Sequence, residues 1–395
     1  MDYFRSRASA RARMKITLTS HAANHLLRLA EGLQARGALN RFYTIYPQFK
    51  LKNYDIHPKY VHAFRSLAAA TFLCIKAGKG MPEKLHSTLF DRYVAWMLRF
   101  DKTHPDILQG NSGYCLETLR AAKKNGIRTV VDRACPHIDF QLSLLDEEVE
   151  YLTGQKKQVS SHHKLKDKMI AEYEEADAII VPSTYSYQSF KDRGFDDKKL
   201  NIVPLMKEKN VTRAPHVSRH AKKPFTLLAV GFSFYRKGFY YLLKAWRELN
   251  LSHTQLILRT TVPKNFHALL DSPSIIAVNH HLSNEALIKQ YQLCDAFCLP
   301  SIDEGFGMAA VEAMAAAKPI IITENVGMKN LITHKKEGFV LPIRNVDAIK
   351  ESILALYDDP VLTQEMGEAA YRCEQKYSQE RYVKTILSVY EKYAR

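Results

Sequence analysis

The chain has 395 residues, of which 46% are hydrophobic and 25% charged, and this composition excludes a disordered or a collagen-like protein. Its formal net charge is +16, and residues 1–100 hold 17 Lys and Arg against 5 Asp and Glu. Such a basic excess in one quarter of the chain indicates a polyanionic neighbour, either phospholipid, a phosphorylated substrate or nucleic acid, unless it only aids solubility.

Strand-like apolar runs alternate with segments of helical period along the chain, which is the pattern of parallel sheets covered by helices on both faces. In the first half, the predicted strands are 15–20, 105–110, 128–133 and 176–183. Residues 56–100 show no strand pattern. Their aromatic and basic end, 89–100, is predicted either to lie on a membrane surface or to pack Trp96 against the sheet.

The pattern lapses in residues 206–223, which are polar, basic and without period, and this predicts an interdomain linker. Beyond it, strands are predicted at 225–231, 254–260, 274–279, 296–301 and 319–323. We therefore predict an α/β protein of two doubly wound, Rossmann-like domains, 1–205 and 224–378. A last helix within 379–395 is predicted to cross back to the first domain.

The chain shows no signal that would place it in or beyond a membrane. Residues 1–13 carry four arginines without an apolar core, so we expect a short solvated arm and no secretory signal. The longest apolar run, 67–75, is half of the roughly 18 residues that cross a bilayer. The six cysteines are too scattered for a disulfide framework and fit a reduced, cytoplasmic compartment.

The most informative stretch is 294–323, where a predicted strand is followed by a loop with Glu304 and then by an alanine-rich helix. Gly305 and Gly307 remove side chains where the backbone turns into that helix. Unpaired backbone amides at this turn can therefore approach a phosphate or a hydroxyl group closely.

Glu304 and Glu312 are two acids with seven residues between them, at the start and within the predicted helix. A carboxylate accepts hydrogen bonds from two adjacent hydroxyls, as holding a sugar ring or a ribose requires. In the alternative interpretation, Glu304 is an acid favoured by the helix dipole. Glu312 would then be buried on an apolar helix face without purpose.

A second cluster follows the first strand of the second domain. Arg236 and Lys237 stand just before Gly238 and a predicted helix, where two cations and backbone amides can make a diphosphate site. The strand itself ends at Gly231, and ligands of such sheets bind at the carboxyl ends of strands.

These two clusters, in this order, resemble those of the group 1 retaining glycosyltransferases of the GT-B fold, in the glycogen-synthase-like branch. The family signature is two glutamates with seven residues between them in a strand-loop-helix context, followed by a proline before the next strand. Glu304 to Pro319 match it. The likeness extends through 326–342, and more loosely through 176–183 and 377–393. It covers the second domain almost completely and the first only in outline.

The resemblance implies that the two domains face each other across a cleft that holds the donor sugar. Glu304 and the amides of Gly305, Phe306 and Gly307 would contact this sugar, and Glu312 would bind the ribose of the nucleotide.

In the same way, Lys237 with Arg236 would bind the donor diphosphate, next to Gly231. In the first domain, His137 stands where such enzymes often place a histidine near the hydroxyls of the transferred sugar. As an alternative, His137 is a loop or core histidine.

The sequence departs from the family pattern at three places. The first strand opens into Ser-His-Ala-Ala-Asn-His at 20–25 where the family has a glycine-rich loop. Phe232 stands where the family has an arginine, and 327–330 read Gly-Met-Lys-Asn instead of Gly-x-Pro-Glu. These departures concern donor choice and activity.

The resemblance implies a hexosyltransferase that moves a sugar from a nucleotide-diphosphate donor to an acceptor hydroxyl with retention of configuration. The nucleotide sugar is a co-substrate, and no cofactor and no metal are expected. The acceptor would be a glycan or glycolipid, lipid-linked or a growing polysaccharide. The basic first domain favours peripheral association with an anionic membrane, at its cytoplasmic face.

An alternative function is that of a non-catalytic, glycosyltransferase-like subunit that binds nucleotide sugar or an anionic membrane surface. The altered loop at 20–25 favours this alternative, whereas Glu304, Glu312 and Lys237 favour the enzyme. Nucleic acid is not an expected partner, because the chain has no RNA- or DNA-binding motif.

Overall fold

The computed structural model describes residues 14–22, 24–206, 211–213, 223–279 and 283–394. The predicted arm 1–13 and most of the predicted linker 206–223 lie outside these described residues. The strands of the first domain are β1 (Ile16–Ser20), β2 (Leu39–Thr44), β3 (Val61–Ala63), β4 (Ile107–Asn111), β5 (Arg128–Asp132), β6 (Ala178–Val181) and β7 (Leu200–Ile202). Those of the second are β8 (Phe225–Val230), β9 (Thr254–Arg259), β10 (Ile275–Val278), β11 (Ala296–Leu299), β12 (Ile320–Thr323) and β13 (Gly338–Leu341).

Helices connect these strands. In the first domain they are α1 (His25–Ala35), α2 (Arg65–Lys76), α3 (Glu83–Leu98), α4 (Leu116–Lys124), α5 (Ile138–Thr153), α6 (Lys166–Glu175) and α7 (Thr184–Lys191). The remaining helices are α8 (Phe239–Leu249), α9 (Asn284–Leu293), α10 (Met308–Ala315), α11 (Val346–Asp358), α12 (Pro360–Glu374) and α13 (Gln379–Tyr393). Short 3₁₀ helices lie at Gln48–Leu51, Pro58–Tyr60, Ser161–Leu165, Lys264–Leu270 and Gly327–Leu331.

The strands form two sheets, and every pairing between them is parallel. The first sheet has seven strands in the order β3-β2-β1-β4-β5-β6-β7, and the second has six in the order β10-β9-β8-β11-β12-β13. The predicted α/β class with two doubly wound sheets is therefore confirmed. In each sheet the strand order reverses once, between β1 and β4 and between β8 and β11.

Four strands escaped the sequence pattern: β2, β3, β7 and β13. The prediction that 56–100 holds no strand is wrong for Val61–Ala63. This strand has three residues at the edge of the sheet and none of them is fully buried, so it is too short to show a period.

Each sheet is buried on both faces, because successive residues of a strand point to opposite sides. In the first sheet, Ile107 packs toward α1 and Leu108 toward α3 and α4, and Val130 and Val131 divide in the same way. In the second sheet, α8 and α11 cover one face, while α9 and α10 cover the other.

The last helix lies against the first domain. Helix α13 packs on α1, and the hydroxyl of its buried Tyr390 donates to Oε1 of Gln109 in β4 at 2.5 Å. At its end, Asn201 Nδ2 donates to the hydroxyl of Tyr393 at 3.0 Å. Within the described residues, no helix combines the length and the low polarity that crossing a bilayer requires.

Candidate active site at the carboxyl edge of the second sheet

Three of the predicted site residues meet at the strand-order reversal of the second sheet. Arg236 and Lys237 lie in the loop after β8, and Glu304 lies in the loop after β11. Since β8 and β11 are neighbours, their carboxyl ends open the crevice where doubly wound sheets bind ligands.

Glu304 is held by both cations through the same carboxylate oxygen. The guanidinium of Arg236 donates to Oε2 of Glu304 at 2.9 Å, and the ammonium of Lys237 donates to the same atom. Lys237 is 7% exposed and therefore almost fully withdrawn from solvent. Two cations therefore meet on one carboxylate oxygen, and the carboxyl of the neighbouring Asp303 is also within electrostatic reach of Arg236.

Burial and charge act in opposite directions on this cluster. Burial alone would raise the pKa of the Glu304 carboxyl, but the charges of Lys237 and Arg236 hold it below its ordinary value. Burial lowers the pKa of Lys237, against the stabilising charge of Glu304. The two cations thus favour the carboxylate form of Glu304, whereas burial works against the charged form of Lys237.

Gly231 provides the space through which the Lys237 side chain passes. A Cβ atom at Gly231 would stand 2.8 Å from Cγ and from Cε of Lys237, closer than real Cβ contacts. The glycine at the end of β8 is thus needed to let the ammonium reach Glu304. Gly231 positions the lysine in the structure, and contact with a nucleotide stays a prediction for it.

The loop that carries Glu304 is pinned to the loop after β12. The Glu304 backbone N–H donates to the carbonyl of Asn325 at 3.1 Å, and its carbonyl accepts from the N–H of Gly327 at 2.9 Å. Gly307 has a φ of +107°, which an L side chain rarely adopts, and helix α10 begins directly after it. Phe306 is 2% exposed and packs into the core, so only its backbone can meet a ligand.

Glu312 is 3% exposed on α10 and lies beside polar neighbours. Burial raises the pKa of Tyr291, and the charge of Glu312 raises it further, so the two side chains are close. Arg259, the last residue of β9, is within electrostatic reach of Tyr291. Arg259 was not predicted as a site residue, although a cation at the end of a predicted strand was a usable signal.

Asp303 connects this site to the first domain. Its carboxylate is fully buried and accepts from the Tyr185 hydroxyl at 3.0 Å and from Gln141 Nε2 at 2.5 Å. Burial raises the pKa of this carboxyl, against the lowering effect of Arg236. Asp303 was not predicted as a site residue, because its contacts are with distant parts of the chain that no local pattern reveals.

Gly305 lies against the backbone of the first domain. A Cβ atom there would overlap the carbonyl oxygen of Ala134, and the Gly305 carbonyl accepts from Ser183 Oγ at 2.7 Å. A second bridge joins the domains where Arg344 Nε donates to the buried carboxylate of Glu148 at 2.7 Å. The predicted sugar-binding loop is thus closed over by the opposite domain.

His137 lies in the first domain as the N-cap of α5, where its Nδ1 accepts from the Asp139 N–H at 3.2 Å. Its ring packs against Tyr173, Phe190 and Phe195. Burial lowers the pKa of His137 to about 4. These contacts are those of a core histidine, and a role near the transferred sugar stays a prediction for it.

The side chains near the cluster give no metal centre: in the described ranges, no three or more His, Cys, Asp or Glu side chains are arranged to hold an ion. The cations of Arg236 and Lys237 are the charges that the site offers to an anion. Their arrangement suits a phosphate ester better than a neutral molecule.

Residues 210–373 match the family model of the group 1 glycosyl transferases. This segment contains every residue of the Arg236, Lys237 and Glu304 cluster and also Glu312. The match supports a group 1 glycosyltransferase, and it covers the second domain of the chain.

Comparisons with single proteins extend this result. An uncharacterized glycosyltransferase of Haemophilus influenzae is 29% identical over 166 residues, which cover 40% of this chain and 46% of that protein. The chain thus spans less than half of the length of the first curated relatives that it matches.

Solved structures show the fold over nearly the whole chain. Sucrose-phosphate synthase from Thermosynechococcus elongatus superposes with a TM-score of 0.71 at 17% identity, covering 96% of this chain and 98% of the other. Anabaena HepE in complex with UDP-glucose superposes with a TM-score of 0.68 at 16% identity, covering 95% and 100%. The fold of this glycosyltransferase-like chain is GT-B, as the resemblance implied.

Proposed function

We propose that the protein is a glycosyltransferase that moves a sugar from a nucleotide-diphosphate donor to an acceptor hydroxyl, with retention of configuration. The observation that carries the proposal is the meeting of Arg236, Lys237 and Glu304 at the strand-order reversal of the second sheet. Negative charge develops on the leaving diphosphate when the bond to the sugar breaks. Fixed cations in a crevice with little water stabilise that charge.

The charge balance of the cluster suits this role. Arg236 and Lys237 place two cations on the one carboxylate of Glu304, so their remaining N–H donors can bind an anion. When a diphosphate enters, the two cations turn part of their donors to its oxygens. The Glu304 carboxylate is then free to accept hydrogen bonds from two adjacent hydroxyls of the donor sugar.

The remaining roles follow from position. Glu312, buried one helical turn beyond the start of α10, binds the ribose hydroxyls of the donor. The backbone amides of Gly305, Phe306 and Gly307 approach the donor sugar. Arg236 and Lys237 take the place that a divalent cation holds in other sugar transferases, so the reaction needs no metal.

Contacts between the domains exclude water from the site. Asp303 binds Tyr185 and Gln141, and the Gly305 carbonyl binds Ser183, so the opposite domain covers the sugar-binding loop. Exclusion of water favours transfer to the acceptor over hydrolysis of the donor.

The direct test is to incubate the purified full chain with a panel of nucleotide sugars and a membrane extract as acceptor source, with and without EDTA. The expected result is release of a nucleoside diphosphate from one donor, dependent on the extract and unchanged by EDTA. Loss of the reaction in EDTA would contradict metal independence. Binding of a nucleotide sugar without turnover under all conditions would favour the non-catalytic subunit.

We also propose that the first domain docks on the cytoplasmic face of an anionic membrane, where a lipid-linked acceptor is available. Helix α3 presents an outward stripe, with Leu85, Leu89, Arg92, Trp96 and Arg99 exposed at intervals of three or four residues. Trp96 is 53% exposed, so the alternative that it packs against the sheet is wrong.

Helix α2 packs on α3 and also carries exposed apolar residues. The exposed apolar residues of the two helices, with Phe100 just beyond α3, are called here the α2–α3 surface: Phe72, Leu73, Ile75, Leu85, Leu89, Trp96 and Phe100. Exposed bases accompany them, and Lys76 Nζ lies 5.0 Å from the centre of the Phe72 ring. Aromatic rings and cations on one face suit the interface of an anionic bilayer, which a neutral protein partner would not require.

Vesicle sedimentation tests this surface. We expect the full chain to bind vesicles that contain phosphatidylglycerol, and Trp96→Ser with Phe100→Ser to weaken the binding at least about tenfold. Arg92→Glu with Arg99→Glu should act similarly and more strongly at low salt. Val361→Ser, which removes a 65% exposed apolar residue of the second domain, is the control. Equal binding of all variants would refute the surface.

A further inference from the structure

Polar side chains also meet at the strand-order reversal of the first sheet. His21 follows β1 and Tyr114 follows β4, the two strands between which the order reverses. Their rings stack with centroids 3.4 Å apart and an angle of 3° between the planes. The carboxyl edge of this sheet faces that of the second sheet, because Ala134 after β5 and Ser183 after β6 contact Gly305 after β11.

Helix α3 and a short 3₁₀ helix add three more polar groups. The His86 ring lies 6.2 Å from that of His21 and 5.9 Å from that of Tyr114. Glu83, one turn earlier on α3, lies 3.5 Å from Nε2 of His162. These five residues, His21, Glu83, His86, Tyr114 and His162, are called here the histidine subsite.

Three atoms of this subsite are buried and lack a hydrogen-bond partner among the described residues: Nδ1 of His21, Nε2 of His86 and one carboxylate oxygen of Glu83. His86 as a whole is 8% exposed. A buried polar atom without a hydrogen-bond partner is unfavourable, so three in one place indicate groups that a ligand satisfies.

Hydrogen bonds of neighbouring residues fix the positions of α3 and of the Tyr114 loop. Ser87 Oγ of α3 donates to the Gly113 carbonyl at 2.5 Å. Asp91 of the same helix accepts from the first backbone amides of α4, including that of Thr118 at 2.8 Å. Glu172, fully buried, accepts from the amides of Gly113 and Cys115 on either side of Tyr114. The unpartnered atoms therefore keep fixed positions, as a binding site requires.

The side chains of the subsite favour a neutral ligand over an anion, because none of its five residues carries a permanent positive charge. Burial, together with the neighbouring His86, His162 and Lys168, lowers the pKa of His21 to about 3, so its ring is neutral at physiological pH. Burial also lowers the pKa of His86. The nearest ammonium, Lys168, is engaged by Asp91 and Ser87 at 2.8 Å each. Neutral imidazoles beside a carboxylate bind hydroxyls, because each ring can donate and accept.

The subsite also faces the donor cluster. Arg236, which is bound to Glu304, is within electrostatic reach of His162, as is Arg133 of the first domain. A group bound between the histidines and Glu83 would therefore stand across the cleft from the donor sugar.

From this arrangement we propose that the histidine subsite binds uncharged, hydroxyl-bearing acceptor sugar, with His21, His86 and Glu83 positioning its hydroxyls. The proposal rests on the proposed function, because it places the acceptor opposite the donor site. It specifies a neutral sugar at the reacting end of the acceptor. A phosphate or diphosphate of a lipid-linked acceptor would lie outside the subsite, toward the α2–α3 surface, because α3 carries residues of both.

The test uses the full chain labelled with ¹⁵N-histidine and long-range ¹H–¹⁵N spectra that report the ring nitrogens. The probes are methyl glycosides of common hexoses, added one at a time, and inorganic phosphate at matched ionic strength. At least one glycoside is expected to shift the resonances of His21 and His86 in a saturable way, while phosphate leaves them unchanged. The proposal would be overturned if phosphate shifted these resonances, or if none of the probes shifted them.

Variants identify the atoms. His86→Phe should weaken binding of the glycoside at least about tenfold, which is the scale for losing one buried hydrogen bond. His86→Gln should recover part of the affinity. His104→Phe, at an exposed histidine of the same domain, is the control. Equal affinity of wild type and His86→Phe would contradict the assignment, and the wild-type titration stands even where a variant does not fold.

Calorimetry with nucleoside diphosphates on the same samples separates the two claims. If a nucleoside diphosphate binds and no glycoside does, the subsite is refuted and the proposed function stands. If glycosides bind and no nucleoside diphosphate does, the donor site is refuted and the subsite stands.

Discussion

The two strand-order reversals of this molecule have the same topology and opposite chemistry. At the second sheet, charged side chains pair with one another, and both Arg236 and Lys237 bind Glu304. At the first sheet, neutral rings and a carboxylate keep unpartnered atoms. A parallel sheet therefore fixes where a ligand binds, while the residues that follow its strands decide whether that ligand is an anion or a hydroxyl group.

The backbone differs between the two places as much as the charge does. The second sheet has three glycines at its edge. A side chain at Gly231 would collide with Lys237, one at Gly305 would collide with the opposite domain, and Gly307 adopts a left-handed conformation. In the first sheet, Ser20 Oγ donates to the Ala22 carbonyl at 2.9 Å, and Asn24 caps α1. After β1, the sequence without glycine thus places the His21 ring at the cleft, where a glycine would leave backbone only.

The largest expected effect concerns the strand-order reversal of the second sheet with Arg236, Lys237 and Glu304, called here the charged reversal. Lys237→Ala should lower turnover by a factor on the order of 10² or more, because one of the groups that stabilise the leaving diphosphate is lost. The measurement is the rate of nucleoside diphosphate release with the donor found in the panel. Lys244→Ala, at an exposed lysine of helix α8, which follows the Lys237 loop, is the matched control and should keep the wild-type rate. Equal rates for both variants would remove Lys237 from the reaction.

An intermediate effect is expected for the ribose contact. Glu312→Gln should weaken nucleoside diphosphate binding by about tenfold to a hundredfold, the scale of hydrogen bonds to a charged group. The penalty should disappear with a 2′,3′-dideoxynucleoside diphosphate, which lacks the hydroxyls. Glu285→Gln on the exposed side of α9 is the control. If the penalty persists with the dideoxy analogue, Glu312 acts through the structure of α10 and not through the ribose.

The smallest effect concerns the strand-order reversal of the first sheet with His21, called here the neutral reversal. It appears in the pH dependence of the unfolding free energy. His21 has a pKa of about 3 in the folded protein against 6.5 ordinarily, so the unfolded chain binds the extra proton. Its contribution to stability is complete above pH 6.5 and is lost as the pH falls toward 3. His21→Asn should flatten the fall of the unfolding free energy between these values by about 1 kcal/mol per pH unit or less.

Denaturant unfolding at several pH values measures this slope. His104→Asn is the control, because His104 is exposed. If His21→Asn keeps the wild-type slope, His21 is charged in the folded protein, and the contrast between the two reversals fails.

The sequence predicted the charged reversal because its residues follow strands long enough to show a pattern. Arg236, Lys237 and Glu304 follow predicted strands 225–231 and 296–301, and parallel neighbours bring such residues to one edge. Asp303 was not assigned a role, because its partners Tyr185 and Gln141 lie more than a hundred residues away in sequence.

The neutral reversal could be predicted only in part. His21 stands directly after a predicted strand, which was a usable signal, but His86 and Glu83 come from α3 in the stretch without a recognised pattern. The placement of α3 depends on Asp91, which accepts hydrogen bonds from the start of α4. Such a contact between helices is set by tertiary packing, and no local period reports it.

The central claim is that the charged reversal binds the diphosphate of an activated sugar. A crystal structure of the full chain soaked with the nucleoside diphosphate of the preferred donor tests it most directly. The account predicts phosphate oxygens within hydrogen-bond distance of Lys237 Nζ and the Arg236 guanidinium, with the ribose hydroxyls on the Glu312 carboxylate. A nucleotide bound elsewhere, with the Glu304 ion pairs intact, would contradict it.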